Sequence, residues 1–266
     1  MGMNREALVT VRARDGIDIG CWRSGDGPPL VMVHGTSADH GRWRTVLEPM
    51  AARFTVYAMD RRGRGASGDV QPYAIENEFD DVAAVVDSMP DPAHLLGHSY
   101  GAICSLEAAR RTTNLRSLVL YEPPLPIGIA IVSEATQAKL DALNAAGDRE
   151  GVVETFMREV VRVPESDLAT LRSLPAWQAR IAAAHTIPRE ESLERTYRFD
   201  PEWVREIHVP VLLLQGGESP PFLVEPIRVL ERMLPDVRVV VMPGQQHAAM
   251  DTGTELFLKA VLDFLG

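Results

Sequence analysis

The chain has 266 residues, 45% hydrophobic and 24% charged. These values suit one large globular domain with room for an insertion, and they exclude disordered or fibrous architectures. Its 37 acidic and 27 basic side chains leave a net charge of −10, which repels phosphate backbones and anionic lipid, so neither nucleic acid nor a membrane is an expected partner.

In chain order, residues 7–13 and 17–23 alternate in polarity around Arg14-Asp15-Gly16, a hairpin signal because Asp and Gly tolerate positive φ. Short, nearly continuous apolar runs follow at 30–33, 54–59, 95–96 with its flanks, 118–121, 211–214 and 237–242. Strands covered by helices on both faces have this composition. Amphipathic stretches lie between them at 43–52, 76–89, 100–111, 222–234 and 254–265, the last with Thr252 and Glu255 spaced as a capping box. The alternation predicts an α/β fold with a mostly parallel twisted sheet. It lapses only in residues 123–205, where helical spacings at 133–146, 150–161, 167–184 and 189–197 are punctuated by Pro164, Pro175, Pro188 and Pro201. This segment is expected to be a helical lid on a core formed by residues 1–122 and 206–266.

Cys21 and Cys104 fall in different predicted elements. Two lone thiols suit packing in a reducing compartment better than a disulfide. The first residues, Met-Gly-Met-Asn-Arg-Glu, open no apolar leader segment, and no apolar run approaches the roughly 18 residues that span a bilayer. A cytoplasmic location is the expectation.

The strongest chemical signal is Gly97-His98-Ser99-Tyr100-Gly101, between a predicted strand and a predicted helix. A strand that turns straight into a helix strains the residue at the apex and leaves no room for side chains two positions away. The turn lifts the serine hydroxyl to a helix N-terminus, where the dipole favours developing negative charge. A serine nucleophile needs a base. His247, in the loop after the last predicted strand, opens at the same sheet edge. Among the other histidines, His40 and His208 flank loops or strands, His185 lies in the insertion and His94 opens a strand.

The runs Val33-His34-Gly35-Thr36, Asp60-Arg61-Arg62-Gly63-Arg64-Gly65-Ala66-Ser67 and Gly97-His98-Ser99-Tyr100-Gly101, with His247, resemble the α/β-hydrolase family, in particular its lid-bearing esterase, lactonase and cofactor-independent haloperoxidase branch. The resemblance covers the chain apart from the insertion. It implies Ser99 as nucleophile, His247 as base and an oxyanion hole made by the backbone N–H groups of Thr36 and Tyr100.

The orienting acid departs from the family's common pattern. That position, in Gln215-Gly216-Gly217-Glu218-Ser219-Pro220, falls on Ser219 or Pro220, neither of which can hold an imidazolium. A minority of the family carries the acid one strand earlier, where Glu122 stands before Pro123 and Pro124. Glu122 is therefore the expected acid, its alternative role being a salt bridge or lid hinge. Glu218 is the competitor, and Asp251 is read as supporting the start of the final helix.

The run Gly63–Gly68 also satisfies the dinucleotide pattern G-x-G-x-x-G, yet Asp69, Gln71 and Pro72 interrupt any helix opening there. No His or Cys cluster has metal-ligand spacing. No cofactor and no metal is expected. Trp43, Tyr73, Trp177 and Phe222 are candidates for the cleft or for core packing. The expected function is hydrolysis of a carboxylic ester or lactone of a small to medium, partly apolar molecule through an acyl-enzyme. Alternatives are perhydrolysis, C–C bond hydrolysis, or a ligand receptor built on a hydrolase scaffold. The expected partner is a small-molecule substrate, with a homo-oligomer left open.

Overall fold

The computed structural model describes residues 6–266, the side chain of Ser166 excepted. Residues 1–5, read above as opening no leader segment, lie outside the described residues. The strands are β1 (Ala7–Arg12), β2 (Asp18–Ser24), β3 (Pro29–Val33), β4 (Thr55–Met59), β5 (Ala93–His98), β6 (Leu115–Tyr121), β7 (Val211–Gly216) and β8 (Val237–Met242). They form one sheet in the order β1-β2-β4-β3-β5-β6-β7-β8. β2 pairs antiparallel with both β1 and β4, and the remaining pairs are parallel. The β1–β2 turn uses Gly16 at φ +86 and the Asp15 carboxylate, which accepts the Ile17 N–H at 3.2 Å. This is the chemistry that tight turns select.

Helices α1 (Leu47–Ala51), α2 (Ile75–Asp87) and α3 (Tyr100–Ala108) alternate with the strands. Between β6 and β7 lie α4 (Glu134–Ala145), α5 (Arg149–Thr155), α6 (Glu165–Arg172), α7 (Pro175–Ala182), α8 (Ile187–Glu191) and α9 (Leu193–Thr196). The core resumes with α10 (Pro221–Met233), α11 (Ala249–Thr252) and α12 (Thr254–Leu265).

Why the strands are apolar throughout is now clear. Val31 and Val33 face α2 and α3, while Leu30 and Met32 face Trp43, α1 and α12. Successive strand residues point to opposite faces, and both faces are buried. Cys21 and Cys104 are free, buried packing residues, and burial pushes the Cys21 thiol up to about 12. Among the described residues no helix is long and apolar enough to cross a membrane.

Several local expectations are corrected. Residues 43–52 are not one helix but a 3-10 turn, His40–Trp43, capped by Asp39, followed by α1. The stretch 167–184 breaks at Leu174, whose ψ of 144° is the extended conformation required before Pro175. Residues 150–161 pass from α5 into a π turn, Phe156–Val160, and 189–197 is divided between α8 and α9. The capping box is not formed: Gly253 caps α12 while Thr252, inside α11, donates its hydroxyl to Gln245 Oε1 at 2.7 Å. Asp251 does not support α12 either. Its carboxylate pairs with Arg42 at 2.6 Å.

Candidate active site

Ser99 sits between β5 and α3 at φ 57°, ψ −127°, a conformation costing on the order of 1–3 kcal/mol that persists only where the surroundings enforce it. Packing supplies that force. A Cβ at Gly101 would stand 2.3 Å from His34 O and 2.4 Å from Val33 O, and one at Gly97 would stand 2.6 Å from Ala102 Cα. α3 therefore approaches β3 backbone to backbone, and only glycine fits. Gly35, at the end of β3, is constrained from the other side, because its Cβ would lie 2.7 Å from Ser99 Cβ.

The β-ladder carries into the loops. Ser99 N–H donates to Tyr121 O at 2.9 Å and Glu122 N–H to Leu214 O at 3.2 Å, so the ends of β5, β6 and β7 stay in register beyond the strands. Glu122 is fully buried at φ 46°, with Oε1 accepting the Gly216 N–H and Oε2 meeting His247 Nδ1, both at 2.6 Å. The structure thus joins Glu122 to His247. Glu218 is exposed; its N–H donates to Gln245 O at 2.9 Å, and among the described residues its carboxylate has no partner. Ser219 Oγ is buried without a partner.

Two side chains that sequence reasoning missed fix the histidine loop. His98 Nε2–H donates to His247 O at 2.8 Å. Tyr121 donates its hydroxyl to Gln246 O and accepts the Ala249 N–H at 3.0 Å. Burial, and then His247, hold the His98 imidazole well below the ordinary histidine range, so it stays a neutral donor. Nothing local in the sequence marks these roles, because each is defined by a loop more than a hundred residues away. His34 behaves similarly. Burial, and then Arg61, keep it neutral, and its ring spans Gly35 O (2.8 Å) and the Arg61 N–H (3.1 Å), bracing the turn before Thr36.

Ser99, His247, Thr36 and Tyr100 line one cavity of about 600 Å³ at the carboxyl edge of the sheet, with Phe156, Met157, Val160 and Leu171 from the helical segment. Among the described residues the Ser99 hydroxyl makes no hydrogen bond. It shares the cavity with the His247 imidazole, to which it is not hydrogen-bonded. Among the described residues neither the Thr36 nor the Tyr100 N–H has an acceptor. Among the described residues the non-glycine residues with positive φ are Ser37, Ser99, Glu122 and Arg162; three line this cavity and Glu122 holds His247.

Phe222 lines the cavity, but Trp43 and Trp177 are core residues. Tyr73 donates to Glu78 at 2.7 Å and accepts from the Tyr100 hydroxyl at 2.9 Å. The Tyr100 side chain is thereby structural, under Arg61 at 4.5 Å from its ring centroid. The glycines of the 63–68 run have packing roles: a Cβ on Gly65 would stand 2.2 Å from the Asp60 carboxylate, and one on Gly63 3.0 Å from Arg189 and Thr186 of the helical segment. That segment is anchored here, Glu190 pairing with Arg61 (2.8 Å) and Arg64, and Arg189 with Asp69 (2.9 Å).

Residues 30–260 match the model of the alpha/beta hydrolase family. The chain is 30% identical over 250 residues to a pimeloyl-[acyl-carrier protein] methyl ester esterase of Neisseria meningitidis, covering 89% of this chain and 93% of that one. It is 25% identical over 248 residues to a 2-(acetamidomethylene)succinate hydrolase of Mesorhizobium japonicum, covering 91% and 89%. The crystal structure of an alpha/beta hydrolase from Sphaerobacter thermophilus superposes with a TM-score of 0.79 at 35% identity, covering 94% of this chain and all of that one. With its sheet order, its strained serine turn and this match across most of its length, the chain belongs to the alpha/beta hydrolase family.

Proposed function

We propose that the protein is a serine hydrolase that cleaves a carboxylic ester or lactone of a small to medium, partly apolar molecule. His247 Nε2 takes the Ser99 proton as Oγ adds to the carbonyl carbon, and Glu122 stabilises the imidazolium through Nδ1–H. The N–H groups of Thr36 and Tyr100 hold the oxyanion. As the tetrahedral intermediate collapses, the imidazolium returns its proton to the departing alkoxide, leaving an acyl-enzyme. A water, deprotonated by His247, adds to the acyl carbon and releases the acid and the free serine.

The observation that carries this reading is the 2.6 Å contact between His247 Nδ1 and the buried Glu122 carboxylate, on a histidine that shares a cavity with a serine at φ 57°. A buried carboxylate on one ring nitrogen leaves the other free to act as base toward the cavity. The apolar side chains of the helical segment suit an acyl or alkyl chain, and the names of the curated relatives, a hydrolase and a methyl ester esterase, agree with acyl transfer.

A panel of p-nitrophenyl esters and lactones, assayed with the wild type and S99A, tests the reading. Turnover that falls about ten-thousandfold or more in S99A, with an organophosphonate attached at Ser99 by mass spectrometry, is the expected result. Turnover unaffected by S99A overturns it.

A further inference from the structure

One wall of the cavity carries a cation without a carboxylate. Arg180, on α7, donates from Nη1 to the Ser37 carbonyl at 2.8 Å and to the Ser37 hydroxyl at 2.6 Å. Among the described residues it forms no ion pair, and its Nε and Nη2 meet no acceptor. Neither nitrogen is enclosed in protein. The side chain lines the main cavity and a second one of about 290 Å³, and Ser37, Ala38, Arg42 and Arg180 border both. Arg180 therefore stands where the two spaces meet.

Its neighbours are differently provided. Arg42, which borders the same spaces, pairs with Asp251 at 2.6 Å, and Arg61 and Arg64 share Glu190. Arg162 also lines the cavity but is exposed, so water solvates its charge. Burial, and then repulsion from Arg42, push the Arg180 guanidinium down to about 10, still cationic at neutral pH. A half-buried cation with no carboxylate at ion-pair distance gains from a ligand that supplies one.

The anchor point fixes where that counter-ion would lie. Ser37 directly follows Thr36, and Gly35 packs against Ser99. Arg180 is thus held by a residue adjacent to the proposed oxyanion donor, with its remaining nitrogens unbonded among the described residues where the two cavities meet. The Nε/Nη2 edge of a guanidinium matches the two oxygens of a carboxylate. The surrounding acids offset this charge only in part: Asp39 and Asp251 act on it from beyond ion-pair distance, Asp251 being paired with Arg42 and Glu190 with Arg61 and Arg64, Glu218 is exposed, and burial and then Glu190 push Glu191 up to about 8.

We propose that Arg180 binds a free carboxylate on the acyl side of the substrate, so that the protein acts on half-esters of dicarboxylic acids, one carboxyl reacting at Ser99 and the other held by Arg180. This inference rests on the serine hydrolase reading and narrows its substrate class. Phe156, Met157 and Leu171 line the same cavity and suit the methylenes between the two groups.

The test compares mono-p-nitrophenyl succinate, glutarate and adipate with the p-nitrophenyl esters of butyrate, valerate and hexanoate, matched in acyl length. For at least one length the wild type is expected to favour the anionic ester by about tenfold or more in kcat/KM, the range of a charge-assisted contact. In R180M that ratio falls to near one, chiefly through KM, and R180K restores part of it. A merely structural disturbance would lower both rates and leave the ratio intact. An intact ratio in R180M, or no preference in the wild type at any length, overturns the inference while the hydrolase reading stands. If the wild type cleaves none of the six esters, the hydrolase reading fails for this substrate class, and calorimetry with succinate, glutarate and adipate decides about Arg180: loss of binding in R180M supports the site, and equal or absent binding in wild type and R180M overturns it.

Discussion

The sheet and the helical segment between β6 and β7 are held together in different ways. The sheet is buried on both faces by two apolar clusters, and its strands are locked by continuous ladders. The helical segment has a small core of its own, built around Leu140, Val153, Phe156, Leu168 and Trp177. Its attachment combines ion pairs, Glu190 with Arg61 and Arg64 and Arg189 with Asp69, with the apolar seat of Leu193 and Tyr197 against the sheet's core. The lesson is a division of labour. The groups proposed to act together are fixed by backbone: Ser99 and Glu122 directly follow β5 and β6, and His247 sits on the loop after β8 that His98 and Tyr121 hold. Groups that shape the space above them stand on helices seated by buried ion pairs as well as by apolar contacts.

The sharpest way to break that comparison is at the strand ends. Glu122→Gln should lower kcat between about a hundredfold and ten-thousandfold, because an amide cannot stabilise an imidazolium and invites the wrong tautomer. Glu218→Gln should have a far smaller effect. Steady-state kinetics on one ester checks both, and the reverse order would move the acid to Glu218. Next comes the attachment. Glu190→Gln leaves Arg61 and Arg64 short of their shared counter-charge and should cost about 3–5 kcal/mol, read from urea unfolding. A neutral result would mean that the apolar contacts of the helical segment suffice to seat it.

Cavity-forming changes sharpen the contrast further. Trp177→Ala in the helical segment and Leu96→Ala in the sheet each remove a buried side chain, at about 3–5 and 2–5 kcal/mol respectively. Hydrogen exchange should separate them. The first should speed exchange mainly in residues 134–196 and the second throughout the chain, since local cores open locally. Identical exchange maps would make the two regions one cooperative unit.

The smallest effect concerns Glu191. Its carboxyl, pushed up to about 8 by burial and then by Glu190, retains in the folded chain a proton that the unfolded chain releases near the ordinary carboxylate range. The folded state binds more protons, so stability falls as pH rises through that window and levels off above about 8. Glu191→Gln removes this dependence. The variant should gain on the wild type between about pH 5 and pH 9 in urea midpoints, and a constant difference would show that Glu191 does not titrate late.

Much of the molecule was readable from local pattern. Continuous apolar runs announced strands covered on both faces, the Asp15-Gly16 turn announced the hairpin, and the glycines around Ser99 announced a bend that only they permit. These features depend on neighbours within a few positions, which is what a linear pattern encodes. The misreadings were also local: Thr252 and Glu255 have capping spacing, but α11 had already taken Thr252 into a helix.

What the chain order alone left undecided was settled by pairing across long distances. Glu122 and Glu218 both follow strands near the same edge, and the register of β6 against β7 decided that the Glu122 carboxylate lies under His247. The neutral supports His34 and His98, and the unpaired charge of Arg180, are likewise properties of position. Burial and partners define them, and both come from segments far apart in the sequence that meet only when the sheet has assembled and the helices have closed over its edge.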